Sequence, residues 1–316
     1  MYPGAYFNHN REYLKLDDDI EKIKISDRTI GWLKIFGSEK NLNNLPIIVL
    51  FHGNASYADE QMAKHTQIIN NLEKQNDNFA ILSIEYSSYL PKHESVKKHT
   101  KANQTNLEKD AQATYNYLTK TKNINPKNLT FYGESLGSYP TLFLASKNKE
   151  ANKYIVNCPL SSTQNKILWP SNNRLLNALL LPFNILIFLI AYPFIDQLNN
   201  HNNIKKAAND PNNNIPIEII ADNKDRVLPP KHHAKQLEPY ASTYTELHDT
   251  RSKSGAHHIG NTTIEHLYKT MLPDILNNHS HSNHKTIAKL PTKDPSFSHI
   301  NKLHSQETSM PSIGIS

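Results

Sequence analysis

The chain has 316 residues, of which 37% are hydrophobic and 20% charged, and its formal net charge is +6. Nine glycines exclude a collagen-like repeat, a single cysteine excludes a disulfide scaffold, and the presence of only one long apolar stretch argues against a multi-span membrane protein. Lys and Arg are scattered among Asn and Glu with no dense basic block, so no nucleic-acid partner is expected.

In chain order, residues 1–19 read as a polar and aromatic N-terminal extension ending in Asp17-Asp18-Asp19. The opening residues lack a basic region followed by an apolar one, which predicts no signal peptide. Alternation over Ile20–Ile25 and Thr29–Phe36 predicts two strands. Ile47-Ile48-Val49-Leu50-Phe51 is a short unbroken apolar run between Pro46 and Gly53, the pattern of a strand covered on both faces. A helix is predicted over 58–75, a strand over Phe79–Tyr86, and a helix over 105–121 from the spacing of Leu107, Ala111, Tyr115 and Leu118. Leu129–Tyr132 reads as a strand, 136–147 as a helix and Tyr154–Asn157 as a strand. The sole cysteine, Cys158, ends that apolar run and is expected to be a buried free thiol, which suits a reducing, cytoplasmic setting.

An insertion at about 161–214 follows. Leu175–Ile195 is almost wholly apolar and long enough to span a bilayer, but Pro182 and Pro193 interrupt it and strands of one sheet flank it. A helical lid, or a segment making peripheral membrane contact, is the expectation. Beyond it come a strand at Ile217–Ile220, a helix at 230–238, a strand at Tyr244–His248 and a helix at 262–277. Strands alternating with helices predict βαβ units and a mostly parallel sheet with helices on both faces. One α/β domain that includes this insertion is placed at 20–278, and 279–316, rich in Ser, His, Lys and Pro, reads as a disordered tail.

The chemistry centres on Gly133-Glu134-Ser135-Leu136-Gly137, set between a strand and a helix. Glycines on both sides of a serine in a sharp strand-to-helix turn present Oγ at the carboxyl end of the sheet. Serine needs a general base, and the base an orienting carboxylate. Asp225 lies in the loop after the strand at 217–220, with Asp222 as its competitor. His257, in Ser254-Gly255-Ala256-His257-His258, follows the last strand, with His258 as the alternative. His232 and His233 read as surface residues. A tetrahedral intermediate also needs two N–H donors. Leu136, after the nucleophile, supplies one. The turn His52-Gly53-Asn54-Ala55 supplies the other, from Asn54 or alternatively Ala55, while His52 is read as a prop for the loop.

These residues resemble the α/β-hydrolase superfamily. Within it, His52-Gly53-Asn54-Ala55 with Tyr132-Gly133-Glu134-Ser135-Leu136-Gly137-Ser138 is similar to the branch of serine hydrolases that includes the α/β-hydrolase-domain protein depalmitoylases and their yeast-like relatives. The likeness covers roughly residues 25–278. It implies an α/β-hydrolase fold, an acid in Asp225-Arg226-Val227 and a base in Gly255-Ala256-His257. The chain departs from that pattern after Ile84-Glu85-Tyr86, where relatives carry a glycine-rich loop and this sequence has Ser87-Ser88-Tyr89-Leu90-Pro91.

The expected activity is hydrolysis of an acyl ester or thioester, with a lipid-like substrate favoured by the apolar insertion, through a covalent acyl-enzyme formed by Ser135, Asp225 and His257. The alternative is a non-catalytic α/β-hydrolase-like protein that binds a membrane or a protein partner. No cofactor is expected, because no phosphate-binding loop, dinucleotide fingerprint or Cys-x-x-Cys occurs. No metal is expected either, because the spacing of His279, His281 and His284 fits no defined metal site.

Overall fold

The computed structural model describes residues 11–91, 101–168, 179–185, 197–247 and 260–282. Eight strands form one sheet: β1 (Ile20–Lys24), β2 (Ile30–Phe36), β3 (Ile47–Phe51), β4 (Phe79–Glu85), β5 (Leu129–Glu134), β6 (Lys153–Asn157), β7 (Ile217–Asp222) and β8 (Thr243–Leu247). Their spatial order is β1-β2-β4-β3-β5-β6-β7-β8. The β1–β2 and β2–β4 pairings are antiparallel, and the rest are parallel.

Strand composition explains this layering. β3, β4, β5 and β6 are buried along their whole length, as strands covered on both faces must be. In β3 the side chains alternate between two cores. Ile47, Val49 and Phe51 join one cluster, and Ile48 and Leu50 join the other. The first cluster takes in α2 (Gln104–Asn116) and α3 (Ser138–Lys147), through Leu107, Ala111, Tyr115, Leu142 and Leu144. The second is closed by α1 (Ala58–Asn71), through Met62, Ile68 and Ile69. The C-terminal helices join it through Ile264, Leu267, Met271, Leu272 and Ile275. Two strand lysines are buried because each is paired: Lys34 with Asp17 and Asp19, and Lys153 on β6 with Glu218 on β7 at 2.6 Å.

The helix expected over 58–75 stops at Asn71, because Glu73 takes a left-handed backbone with φ of 55° and Lys74 N–H returns to the Ile69 carbonyl. The insertion contributes α4 (Thr163–Leu168), a helical stretch at 179–185 and α5 (Asn200–Ala208), with Ser162 bridging Asn199 across its base. The sequence reading did not anticipate α5. Its start is fixed by Asn199, whose side chain accepts the Asn202 N–H. The helix expected at 230–238 is reduced to α6 (Ala234–Leu237) with a tight turn on either side, since Pro230 and Pro239 limit its length. The C-terminal helix is α7 (Asn261–His266), which runs through a π-helical turn at Leu267–Met271 into α8 (Leu272–Ser282). It therefore extends into the segment read as a polar tail, and His279 there contacts Asn128 Oδ1 and the Asn44 carbonyl. Among the described residues no helix is long and apolar enough to cross a membrane.

Candidate active site

The β3–β5 register decides where the site lies. Phe51 pairs with Gly133, so the turn after β3 and the turn after β5 emerge side by side at the carboxyl end of the sheet. Ser135 sits in the second turn with φ of 52°, a left-handed conformation that costs a non-glycine residue free energy and that the surrounding packing must enforce. The flanking glycines are what make it feasible. A Cβ on Gly133 would collide with the Gly137 carbonyl and Thr141 Oγ1, and one on Gly137 would collide with the Phe51 carbonyl. Ser138 Oγ, 2.5 Å from the Ser135 carbonyl, and Thr141 Oγ1, 2.9 Å from the Gly137 carbonyl, secure the turn as it enters α3. Asn200 on α5 then ties Ser138 Oγ and the Leu160 carbonyl to the insertion.

The turn after β3 is clamped from below. His52 is fully buried, with Nε2 at 2.9 Å from Glu85 Oε1 and Nδ1 at 2.7 Å from the Gly53 carbonyl. The other oxygen of Glu85 accepts the Ala58 N–H, so one carboxyl group bridges both ends of the loop. Burial pushes the Glu85 carboxyl up, against the pull of His52. Tyr86 donates its hydroxyl proton to the His52 carbonyl, and Tyr89 to Asn54 Oδ1 at 2.6 Å. The segment Ser87–Pro91 thus supplies an aromatic prop for the loop where relatives of the resembled branch have glycines.

A cavity of about 590 Å³ opens at this end of the sheet. Gly53, Asn54 and Ala55 line it from the first loop, Glu134, Ser135 and Leu136 from the second, and Val227 and Leu228 from the loop after β7. Leu160, Ile167 and Leu198, at the two ends of the insertion, make it largely apolar. The three predicted residues Ser135, Leu136 and Asn54 therefore share one cavity.

Asp225 stands just behind the Val227–Leu228 wall. It is fully buried, and its Oδ1 accepts the Val227 and Leu228 N–H groups at 2.8 and 2.7 Å. The competitor Asp222 ends β7 and binds the Lys224 N–H. His257 and His258 lie outside the described residues. They fall between β8 and α7, and the Thr263 hydroxyl at the start of α7 bonds the Gly260 carbonyl.

Three features were not read from the sequence. Glu134, beside Ser135, contacts His65 Nε2 and the Tyr132 hydroxyl, both at 3.2 Å, and His65 Nδ1 lies 2.7 Å from the Tyr268 hydroxyl. Burial disfavours the Glu134 carboxylate, but the hydrogen bond and charge of His65 outweigh it and hold this carboxyl below the usual range. Asn157 extends the network to the Tyr132 hydroxyl and to Thr263 on α7. Lys166 lines the cavity with its ammonium on the Val227 carbonyl; burial pulls its pKa down, and Asp225 opposes that. His233, read as a surface residue, is fully buried with Nδ1 at 3.1 Å from Ser161 Oγ, because the insertion's first turn packs over it. Among the described residues no group of three His, Cys, Asp or Glu side chains is placed to hold a metal ion.

This sheet order, the elbow and the cavity define the α/β-hydrolase fold, and comparison with known proteins agrees. The chain matches, by fold, an α/β hydrolase from Vibrio vulnificus with a TM-score of 0.55 at 17% identity, covering 83% of this chain and 81% of that one. It also matches an esterase from Pyrococcus furiosus (TM-score 0.53, 14% identity, 86% of this chain and 97% of that one). Est1E from Butyrivibrio proteoclasticus is similar too (TM-score 0.53, 10% identity, 82% of this chain and 100% of that one). Residues 7–159 match the model of a family described as steryl acetyl hydrolase. That match takes in the Asn54 loop and Ser135 and ends before Asp225. That description differs from the depalmitoylases that the motifs resemble. An uncharacterised protein of Acanthamoeba polyphaga mimivirus is 32% identical over 130 residues, 39% of this chain and 41% of that protein, so the chain spans about two fifths of that relative's length.

Proposed function

We propose that the protein is a serine hydrolase of acyl esters or thioesters. The observation that carries this reading is the strained, left-handed Ser135 in the same cavity as the Asn54 and Leu136 backbones. In this mechanism Ser135 Oγ attacks the substrate carbonyl carbon while His257 takes its proton. The carbonyl oxygen gains the negative charge, which the N–H groups of Asn54 and Leu136 stabilise. Collapse of the intermediate expels the alcohol or thiol with the proton from His257, leaving an acyl-Ser135. Water activated by the same imidazole then releases the acid. Asp225, fixed by two backbone N–H groups, holds the imidazole in the required tautomer.

The apolar lining and the cavity volume support an apolar substrate. The steryl acetyl hydrolase description of the matched family favours a short acyl group on a bulky apolar alcohol; the apolar insertion favours a long acyl chain. A p-nitrophenyl ester series from acetate to palmitate, run on the wild type and Ser135→Ala, tests both. Turnover that peaks at acetate supports the first substrate, and a peak at long chains the second. Turnover retained by Ser135→Ala removes the mechanism.

A second reading, peripheral membrane contact by Leu175–Ile195, is favoured by one observation. Within the described stretch 179–185, Leu179 is 70% exposed and Phe183 61%, and Ile185 is exposed as well. Large apolar side chains displayed together in this way suit a lipid surface. Flotation with liposomes, lost in a Leu179→Ser/Phe183→Ser variant, is the expected result; protein that stays with the soluble fraction contradicts it.

A further inference from the structure

We propose that Arg11 is a positioning residue for the oxyanion loop, acting from outside the site as a clasp that the N-terminal segment closes over the start of α1. This rests on the reading of Asn54 as an oxyanion donor.

The loop His52–Tyr57 is fixed from beneath by Glu85, Tyr86 and Tyr89, as described above. Its outer side leads directly into the first turn of α1, where Asp59 is fully buried. A carboxylate so placed must be compensated, or it strains the turn that carries it. The compensation comes from 48 residues upstream. Arg11 Nη2 lies 2.5 Å from Asp59 Oδ1, and the Leu14 N–H lies 2.7 Å from Asp59 Oδ2. The same guanidinium stacks on the Tyr57 ring, 3.7 Å from its centroid. The Tyr57 ring in turn meets Tyr89 edge-on at 6.3 Å, and Tyr89 holds Asn54 through Oδ1. Packing of Tyr13 edge-on against Trp32 at 4.9 Å anchors the segment to the sheet. A continuous set of contacts thus runs from Arg11 through Tyr57 and Tyr89 to the proposed donor. Asp59, held by the same guanidinium, fixes the helix end that terminates the loop.

A residue that only stabilised the fold would change melting temperature and nothing in the loop. A clasp would change the loop itself. The test compares wild type with Arg11→Ala, Arg11→Lys and Tyr89→Phe, by amide hydrogen exchange across Gly53–Tyr57 and by kcat and KM on p-nitrophenyl acetate. Arg11→Ala is expected to speed loop exchange by about tenfold. It is expected to lower kcat by about tenfold, less than the loss of an oxyanion donor, with KM within about twofold. Arg11→Lys, which keeps a cation for Asp59 and Tyr57, is expected to recover most of both. Tyr89→Phe breaks the last link by removing one hydroxyl, and is expected to move exchange and kcat in the same direction; it decides the matter if Arg11→Ala does not fold. Loop exchange or kcat unchanged in folded variants overturns the clasp. A wild type that hydrolyses no ester overturns the hydrolase reading instead, and the exchange measurement still decides the clasp.

Discussion

Gly137→Ala is the substitution whose consequence the structure specifies most fully. A Cβ at residue 137 would overlap the Phe51 carbonyl oxygen, with the Phe51 carbonyl carbon at 2.6 Å and the His52 carbonyl oxygen at 2.9 Å. All three are backbone atoms, so no rotamer change relieves the overlap. Either the elbow or the end of β3 must move by roughly 1 Å to restore ordinary contact. Both are central, since β3 and β5 pair in the middle of the sheet. Overpacking of this kind costs about 2–3 kcal/mol. For a domain of this size that corresponds to a fall in melting temperature of about 5–10 °C. The displaced atoms carry the Asn54 loop on one side and Ser135 on the other, and a misplacement of about 1 Å lowers turnover by roughly a hundredfold. Thermal unfolding followed by circular dichroism, paired with kcat/KM on p-nitrophenyl acetate, measures both effects. A Gly137→Ala protein with wild-type melting temperature and wild-type kcat/KM would refute the close approach of the Ser135 turn and the end of β3.

Two further predictions separate the roles of the acidic residues. Asp225→Asn keeps an acceptor for the Val227 and Leu228 N–H groups, so it should fold normally while losing about 10³- to 10⁴-fold in kcat; Asp222→Asn should retain most activity, and the opposite pattern in steady-state kinetics would exchange the two assignments. Burial raises the Asp110 carboxyl to about 6, opposed by hydrogen bonds from Ser87. Its pKa is higher in the folded state than in the unfolded one, so its contribution to stability is full below about 4 and lost as pH rises through about 6. The stability of wild type relative to Asp110→Asn, from urea midpoints, should therefore fall between pH 4 and 7, and a difference that is flat or rising contradicts this.

The loops that carry the candidate site were legible because they depend on local pattern. The five-residue apolar run of β3, the glycines around Ser135 and the Asp225 loop after β7 each announce themselves within a few residues, and the parallel alternation of strands and helices brings their loops to one end. What was not legible depends on pairing across long separations. Glu134 and His65 are 69 residues apart, and nothing in either neighbourhood marks them as partners. His233 looked like a surface residue in a chain with 17 histidines, yet Ser161, 72 residues away, buries it. The helix α5 escaped notice because only Ile204 and Ala207 give it an apolar face, and its cap, Asn199, is one asparagine among many. The structural role of Tyr89 was hidden in a loop that looked like a simple departure from the resembled pattern, and only the fold shows that its hydroxyl reaches Asn54.

The claim on which the rest depends is that Ser135 is an activated nucleophile. Intact-mass analysis after treatment with a fluorophosphonate, followed by peptide mapping, tests it directly. The account predicts a single phosphonyl adduct on the peptide containing Ser135 and none on Ser135→Ala; an unmodified wild type, or an equal adduct on the variant, would contradict it.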